Sequence, residues 1–250
     1  MKKSFLLLAL ICIAIASCSK MERNEKKYLE GMQDEDYEAS VNAVKEFCNW
    51  LETDKATMNY DFKLMREKIG LKAITSPDSV LRCYSWVSNR SEYGESYTNV
   101  AQWCIGESFI AYSGPIDYLL VGRKADIKHQ ETLAHSIDTI FEVKMANHPV
   151  YLIVQSYVNR EGKRRAYVTS THIPSVQLQI MPFFFDGTEM AGNNAFIDKG
   201  NTPVGELFKW DEKAKKFYAY QVDDNEQLIP GKYTVYELCN ERFTRLPDPE

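Results

Sequence analysis

A continuous stretch in the middle of the chain, residues 137–185, constrains the fold most. In its first part, apolar residues alternate with Asp138, Glu142 and Lys144, the period of two that is typical of a half-buried strand. Three further runs rich in β-branched and aromatic residues follow, separated by short segments of turn-forming composition. Connections this short favour sequential antiparallel strands. Four strands are therefore predicted, at residues 137–145, 150–158, 165–173 and 176–184.

Two amphipathic segments precede this region. In residues 37–53 and 60–69, apolar side chains recur at spacings of three and four, which predicts two helices. Gly70 follows the second segment, at a position where glycine commonly ends a helix. We expect both helices to pack one face against the strands.

Strand-like patterns also flank the central region. Residues 80–87 and 97–105 predict a hairpin, and a turn centred between Tyr93 and Gly94 places Cys83 opposite Cys104. Further short strands are expected at residues 108–112, 116–121, 204–210, 217–222, 232–238 and 242–246. Together these patterns predict a mainly β, α+β fold. Its N-terminal helical segment is followed by antiparallel β meanders, arranged as a sandwich or in a propeller-like array.

The N-terminus carries the features of an export signal. Lys2 and Lys3 precede an apolar run at residues 5–16, which is too short to cross a hydrocarbon core of about 30 Å as a helix. The run ends in the sequence Ile-Ala-Ser-Cys at residues 15–18. This ending resembles the lipobox of bacterial lipoproteins, in which the cysteine is lipidated and becomes the new N-terminus. The resemblance implies that Cys18 attaches the protein to a membrane.

Export and cleavage define the expected organisation of the chain. Residues 1–17 are predicted to be the signal peptide, and the charge-dense residues 18–36 a flexible tether. Residues 37–250 are expected to form a single globular domain, with a possible internal boundary near residues 186–203. Loss of Lys2 and Lys3 lowers the formal charge from −5 to −7. An exported acidic protein has no evident basis for binding nucleic acid.

Two further segments resemble a known group of proteins. Residues 75–86 and residues 229–236, with Phe243 after them, are similar to segments that recur in uncharacterised lipoproteins of the Bacteroidetes. This resemblance implies a location in the cell envelope and a helical segment that leads into β meanders. It brings no known catalytic residue to transfer. We expect an outer-membrane lipoprotein, on either the periplasmic or the surface face.

The sequence contains no motif that positions a catalytic group. Its four histidines, at positions 129, 135, 148 and 172, do not form H-E-x-x-H or H-x-x-E-H. Residues 106–110 lack the closing glycine of a nucleophile elbow, and phosphate-binding glycine motifs are missing. The acidic residues 223–226 lack the ligand spacing of a calcium loop and are interpreted as a turn. We therefore predict no catalytic, cofactor-binding or metal-binding residue.

Cysteines are expected to have structural roles. Cleavage and lipidation leave Cys48, Cys83, Cys104 and Cys239, and an oxidising envelope permits disulfides among them in three full pairings. The hairpin alignment makes Cys83 and Cys104 the candidate pair.

The high aromatic content suggests a binding role. The chain has fifteen Tyr, twelve Phe and four Trp, enough to fill a core and leave some rings exposed. We therefore expect a non-catalytic binding or assembly role at the envelope, with a glycan or a partner envelope protein as ligand. The alternative is an envelope hydrolase, similar to a glycosidase, whose acidic residues meet only in the fold.

Overall fold

The computed structural model of the protein describes residues 20–34, 36–91, 94–113, 135–146, 148–158, 163–173, 179–180, 195–197 and 202–247. In this part of the chain, a group of helices precedes three antiparallel sheets. The mainly β, α+β fold predicted from the sequence is confirmed, and the sheets pack face to face as in a sandwich.

The helical layer consists of α1 (residues 20–32), α2 (Tyr37–Thr53), a 3₁₀ helix (Lys55–Asn59) and α3 (Lys63–Ile69). The side chain of Asp36 caps α2 by accepting a hydrogen bond from the backbone N–H of Ala39 at 2.9 Å. Gly70 ends α3 with a left-handed φ of 66°, as its position predicted. The bounds of α2 are those predicted. In contrast, α3 begins later than expected because Phe62 also has a left-handed backbone, with φ of 52°.

The prediction of a flexible tether at residues 18–36 is wrong over residues 20–32, which form α1. Met21, Glu25 and Leu29 recur every four residues along α1 and are buried. Charged residues occupy most of the positions between them, so the average composition of the segment is that of a solvated linker. Several of these charges instead lie in ion pairs along the helix and with α2, including Lys27 with Glu46 at 2.9 Å.

Sheet I contains β1 (Lys72–Thr75), β2 (Leu81–Ser91), β3 (Gly94–Ile105) and β4 (Ser108–Ser113), in that order. The predicted hairpin of β2 and β3 is present, but its register differs. Ser91 pairs with Gly94, so the turn lies earlier than predicted, and an irregularity between Val87 and Asn89 shifts the ladder further. The predicted strand at residues 108–112 corresponds to β4, whereas residues 116–121 lie outside the described part of the chain.

The register excludes the candidate disulfide. Cys83 lies opposite Ala101, and Cys104 lies three positions further along β3, on the other face of the sheet. Cys104 instead faces Phe109 of β4. Both Cys83 and Cys104 are free thiols. The prediction of a bridge between them is therefore wrong, because the earlier turn and the bulge displace the two strands relative to each other.

Sheet II contains β5 (Ser136–Lys144), β6 (Pro149–Val158), β7 (Lys163–His172) and β8 (Gln179–Ile180) in sequential order. β8 pairs with the end of β7, and β9 (Ala195–Ile197) pairs with its beginning. The first three strands of the predicted central meander are thus confirmed. Of the predicted fourth strand, the described part is β8. The possible boundary near residues 186–203 stays a prediction, and β9 is the described strand within that range.

Sheet III follows a single helical turn, α4 (Val204–Leu207). Its strands are β10 (Phe208–Asp211), β11 (Lys216–Val222), β12 (Leu228–Cys239) and β13 (Arg242–Arg245), in sequential order. The four strands predicted over residues 204–246 are present, although the strand predicted at residues 204–210 begins with α4. Asn240 and Glu241 form the last turn with left-handed φ of 50° and 61°, the geometry of a two-residue hairpin.

The elements stack in the order helices, sheet I, sheet II and sheet III, with an apolar core between each pair of layers. Strand β6 illustrates why both faces of a central strand are apolar. Its residues Val150 and Leu152 contact sheet III, whereas Tyr151 and Ile153 contact sheet I. Within the described residues, no helix combines the length and the apolar character that a membrane crossing requires.

Candidate binding groove

A groove of about 750 Å³ opens where the helical layer meets sheet I. The connection between α1 and α2, the first half of α2 and the end of α3 form its walls, and β2 and β3 form its floor. Trp86 and Thr98 lie opposite each other on the two floor strands. A concave site of this size is large enough for a small ligand or a short segment of a polymer.

The lining combines aromatic rings with hydrogen-bonding groups. The side chain of Tyr37, at the start of α2, is 81% exposed. Among the described residues, it is the large hydrophobic side chain that is exposed rather than packed in a core. Trp86 is buried in the floor at 5% exposure. Hydroxyl groups come from Ser40, Ser88 and Thr98, and the charged residues among the described part of the lining are Asp34 and Lys68. These two described residues, one acid and one base, balance each other in charge.

Two glycines account for the shape of the groove. At Gly31, a Cβ atom would lie 2.7 Å from the Cβ of Ala43, so glycine is what allows α1 and α2 to approach closely beside the groove. At Gly70, the left-handed backbone turns the chain out of α3 before β1 begins at Lys72. Strand β1 pairs with residues 82–85 of β2. The groove lies beside the residues that follow in β2.

Buried polar contacts hold the wall formed by α3. The guanidinium of Arg82 donates hydrogen bonds to the backbone carbonyls of Thr57, Met58 and Tyr60 at 2.7, 2.6 and 2.7 Å. From the other side, the Glu25 carboxylate of α1 accepts hydrogen bonds from the Tyr60 hydroxyl at 2.7 Å and from the backbone N–H of Met65 at 2.8 Å. Both contacts are tertiary, so they fix the path of the chain into α3 and therefore the position of the groove wall.

A second polar cluster joins sheets I and II around Asp138. Lys72 contacts its carboxylate at 2.8 Å and Arg164 contacts it at 3.3 Å, and Ser156 also donates to it. Lys72 further donates to Ser136 at 2.6 Å, a pairing that resembles the serine and lysine of some hydrolases. Here the lysine also donates to the Asp138 carboxylate and so is part of the contact between the two sheets. Ser136 is also buried, so the cluster has a structural role.

The structure brings two of the four histidines together. The ring centroids of His148 and His172 lie 4.8 Å apart at one end of sheet II. His135 instead stacks on Tyr157 with a centroid distance of 4.4 Å, and His129 lies outside the described residues. In the part of the chain that is described, no group of three or more His, Cys, Asp or Glu side chains is placed to hold a metal ion.

The other sequence-derived candidates do not form a common site. Cys18 lies outside the described residues. Residues 106–110 form the turn between β3 and β4 and the start of β4, not a nucleophile elbow. At residues 223–226, the Asp223 carboxylate accepts hydrogen bonds from the backbone N–H groups of Asn225 and Gln227, as expected for an acidic turn. The sequence did not distinguish Tyr37 from the aromatic residues of the core, because its exposure depends on where α1 ends.

Comparisons with protein-family models, with curated proteins and with solved structures found no match. The groove and the N-terminal sequence are therefore the features of this chain that bear on its function.

Proposed function

We propose that the chain is a lipid-anchored protein of the bacterial envelope, attached through Cys18, which binds a neutral glycan in the groove without catalysing a reaction. The observation that carries this proposal is the exposed ring of Tyr37 at the rim of a groove lined by hydroxyl groups. An outer-membrane location is part of the same proposal and is supported by the lipobox-like ending and the Bacteroidetes resemblance of the sequence.

The composition of the groove favours a glycan. Aromatic rings stack on the apolar faces of sugars, and hydroxyl side chains exchange hydrogen bonds with sugar hydroxyls. Tyr37 supplies the ring, and Ser40, Ser88 and Thr98 supply hydroxyl groups. Among the described residues of the lining, the one acid, Asp34, is balanced by one base, which favours a neutral ligand over a strongly charged one.

The same lining supports binding over hydrolysis. Glycosidases generally use two carboxylic groups that flank the scissile bond. Among the described residues of the lining, Asp34 is the carboxylate. The Asp138 cluster does not supply a second one, because it is buried between sheets I and II and is bonded to two cations.

Binding can be tested with the chain from residue 18 carrying Cys18→Ser, titrated with a panel of soluble neutral and acidic polysaccharides by isothermal calorimetry. We expect a neutral polysaccharide to bind without release of products. Tyr37→Ala should weaken binding by roughly fivefold to tenfold, since one aromatic stacking contact contributes about 1 kcal/mol. Tyr37→Phe, which keeps the ring, should bind nearly as well as the parent chain, and Asp34→Asn should have a smaller effect than Tyr37→Ala.

Other outcomes separate the alternatives. Binding to an envelope protein but to no polysaccharide, with the same sensitivity to Tyr37→Ala, would replace the glycan by a protein ligand. Release of sugar products would favour the hydrolase. Equal binding by the parent chain and Tyr37→Ala would show that the groove is not the binding site.

The anchor is tested separately in cells. Cys18→Ala should move the protein from the membrane fraction to the soluble fraction or stop its processing. A variant that stayed membrane-bound with a cleaved N-terminus would contradict lipidation at this residue.

A further inference from the structure

The histidine pair lies away from the groove, at the end of sheet II. His172 is the last residue of β7, and its ladder partner on β6 is Val150. His148 lies just before β6 begins at Pro149. The two imidazole rings are tilted by 41° to each other, with centroids 4.8 Å apart. The antiparallel pairing of β6 and β7 thus brings together two residues that are distant in sequence.

Within the described residues, one ring nitrogen of each histidine is buried and has no hydrogen-bond partner. These atoms are Nε2 of His148 and Nδ1 of His172, and no described residue donates to them or accepts from them. His172 as a whole is only 7% exposed. Buried polar atoms in folded proteins are nearly always satisfied, so two such nitrogens on adjacent rings call for a physical explanation.

We propose that His148 and His172 bind one divalent ion of a late first-row transition metal, through Nε2 of His148 and Nδ1 of His172. Neutral imidazole is a preferred ligand of zinc, copper and nickel. Two imidazoles that bind one ion at about 2.0–2.1 Å place their ring centroids roughly 4.5–5.5 Å apart. The observed separation of 4.8 Å falls in this range.

The pair supplies two ligands of such an ion, the Nε2 atom of His148 and the Nδ1 atom of His172. Because the described residues provide no third His, Cys, Asp or Glu ligand here, water molecules would complete the coordination. Such a site is expected to exchange its ion and to follow the usual order, with copper bound more tightly than nickel or zinc.

The test uses the chain from residue 18 with Cys18→Ser and Cys239→Ser, which removes the exposed thiol as a competing ligand. Nickel and zinc salts, which do not oxidise the remaining thiols, are titrated by calorimetry at neutral pH. We expect one ion per chain. His148→Ala and His172→Ala should each weaken binding at least tenfold, whereas His129→Ala, a histidine outside the pair, should leave it unchanged.

A spectroscopic measurement distinguishes the loss of a metal ligand from misfolding of a variant. In the nickel-loaded parent chain, proton NMR should show strongly shifted ring N–H signals from two imidazoles, and both should be lost in His148→Gln while the circular dichroism spectrum stays the same. The proposal is overturned by the absence of binding at millimolar metal, by binding that both pair variants retain, or by shifted signals from a single histidine. None of these outcomes bears on glycan binding in the groove, so the two proposals stand or fall separately.

Discussion

Replacement of Arg82 by methionine tests how the helical layer is held on sheet I. The Arg82 side chain is buried and donates to three backbone carbonyls around the 3₁₀ helix, and its guanidinium lies over the rings of Phe62 and Tyr84 at 5.4 and 5.2 Å. Burial lowers the pKa of Arg82, and Tyr84 acts in the opposite direction. Arg82→Met keeps an apolar stem of similar length but removes every donor.

The expected loss follows from the groups left behind. The Thr57 carbonyl keeps a bond from the backbone N–H of Tyr60 at 3.3 Å. The Met58 carbonyl loses a buried hydrogen bond from Arg82, and the Tyr60 carbonyl loses a partly buried one. A buried acceptor that loses its donor costs about 1–3 kcal/mol, and loss of the charge-assisted bond to Tyr60 adds to this cost. Removing a guanidinium also removes its desolvation penalty, which offsets part of this cost. The variant should therefore lose about 2–4 kcal/mol of unfolding free energy.

Urea unfolding measures this loss, with tryptophan fluorescence as the probe because Trp50 and Trp86 lie in the core beneath the helices. Arg66→Met is the matched control. Arg66 also contacts this region, donating to the Asp61 carbonyl at 2.6 Å, but its side chain is 40% exposed. Arg66→Met should therefore lower the free energy of unfolding by less than about 1 kcal/mol. If the two variants were equally stable, Arg82 would not be the contact that holds the helical layer.

Three further predictions concern other contacts. Gly31→Ala should destabilise the protein by about 1–2 kcal/mol in thermal unfolding, because overpacking against Ala43 outweighs a gain of about 1 kcal/mol in helix propensity. The double variant with Ala43→Gly should recover part of this loss. Asp138→Asn should cost about 3–5 kcal/mol in urea unfolding because it leaves the buried Arg164 without its carboxylate, and a loss below 1 kcal/mol would contradict this role. At pH 8, a thiol reagent should modify the exposed Cys239 in the folded protein but modify Cys83 only after unfolding, because burial raises the pKa of Cys83 to about 12.

Much of the secondary structure was predictable because local patterns and packing agree. Helix α2 has the bounds that its apolar spacing indicates, and Gly70 ends α3. In β6, the absence of a polar face predicted a central strand, and the strand is covered by sheet I on one side and by sheet III on the other. These features depend on residues close in sequence, so the periodicity of the side chains is sufficient to find them.

The errors arose where one local detail changes a long-range alignment. A bulge near Val87 and an earlier turn moved Cys83 opposite Ala101, because any shift in register changes which residues face each other. In α1, the buried positions recur every four residues, but the surrounding charges dominate the composition. Sequence composition reports how polar a segment is on average, whereas packing depends on which positions face the neighbouring elements.

The functional sites were less predictable than the fold. The groove depends on Gly31 and Gly70, which set how the helices lie on sheet I, and no local pattern marks Tyr37 as the exposed ring. The pairing of His148 with His172 depends on the register of β6 and β7. Both sites are formed by residues that meet only through tertiary structure, so a search for short motifs does not detect them.

The finding that residues 20–32 are helical also changes what the proposed anchor implies. Cys18 is two residues from Lys20, a distance of at most about 7 Å along the backbone. Lys20 in turn contacts Asp54 at the end of α2, with 3.2 Å between the charged atoms. Met32, which lines the groove, lies at the other end of α1, about 18 Å away at ~1.5 Å per residue. A lipid on Cys18 would therefore hold the domain close to the membrane at one end of α1 and leave the groove at the opposite end, where it is open to a polymeric glycan.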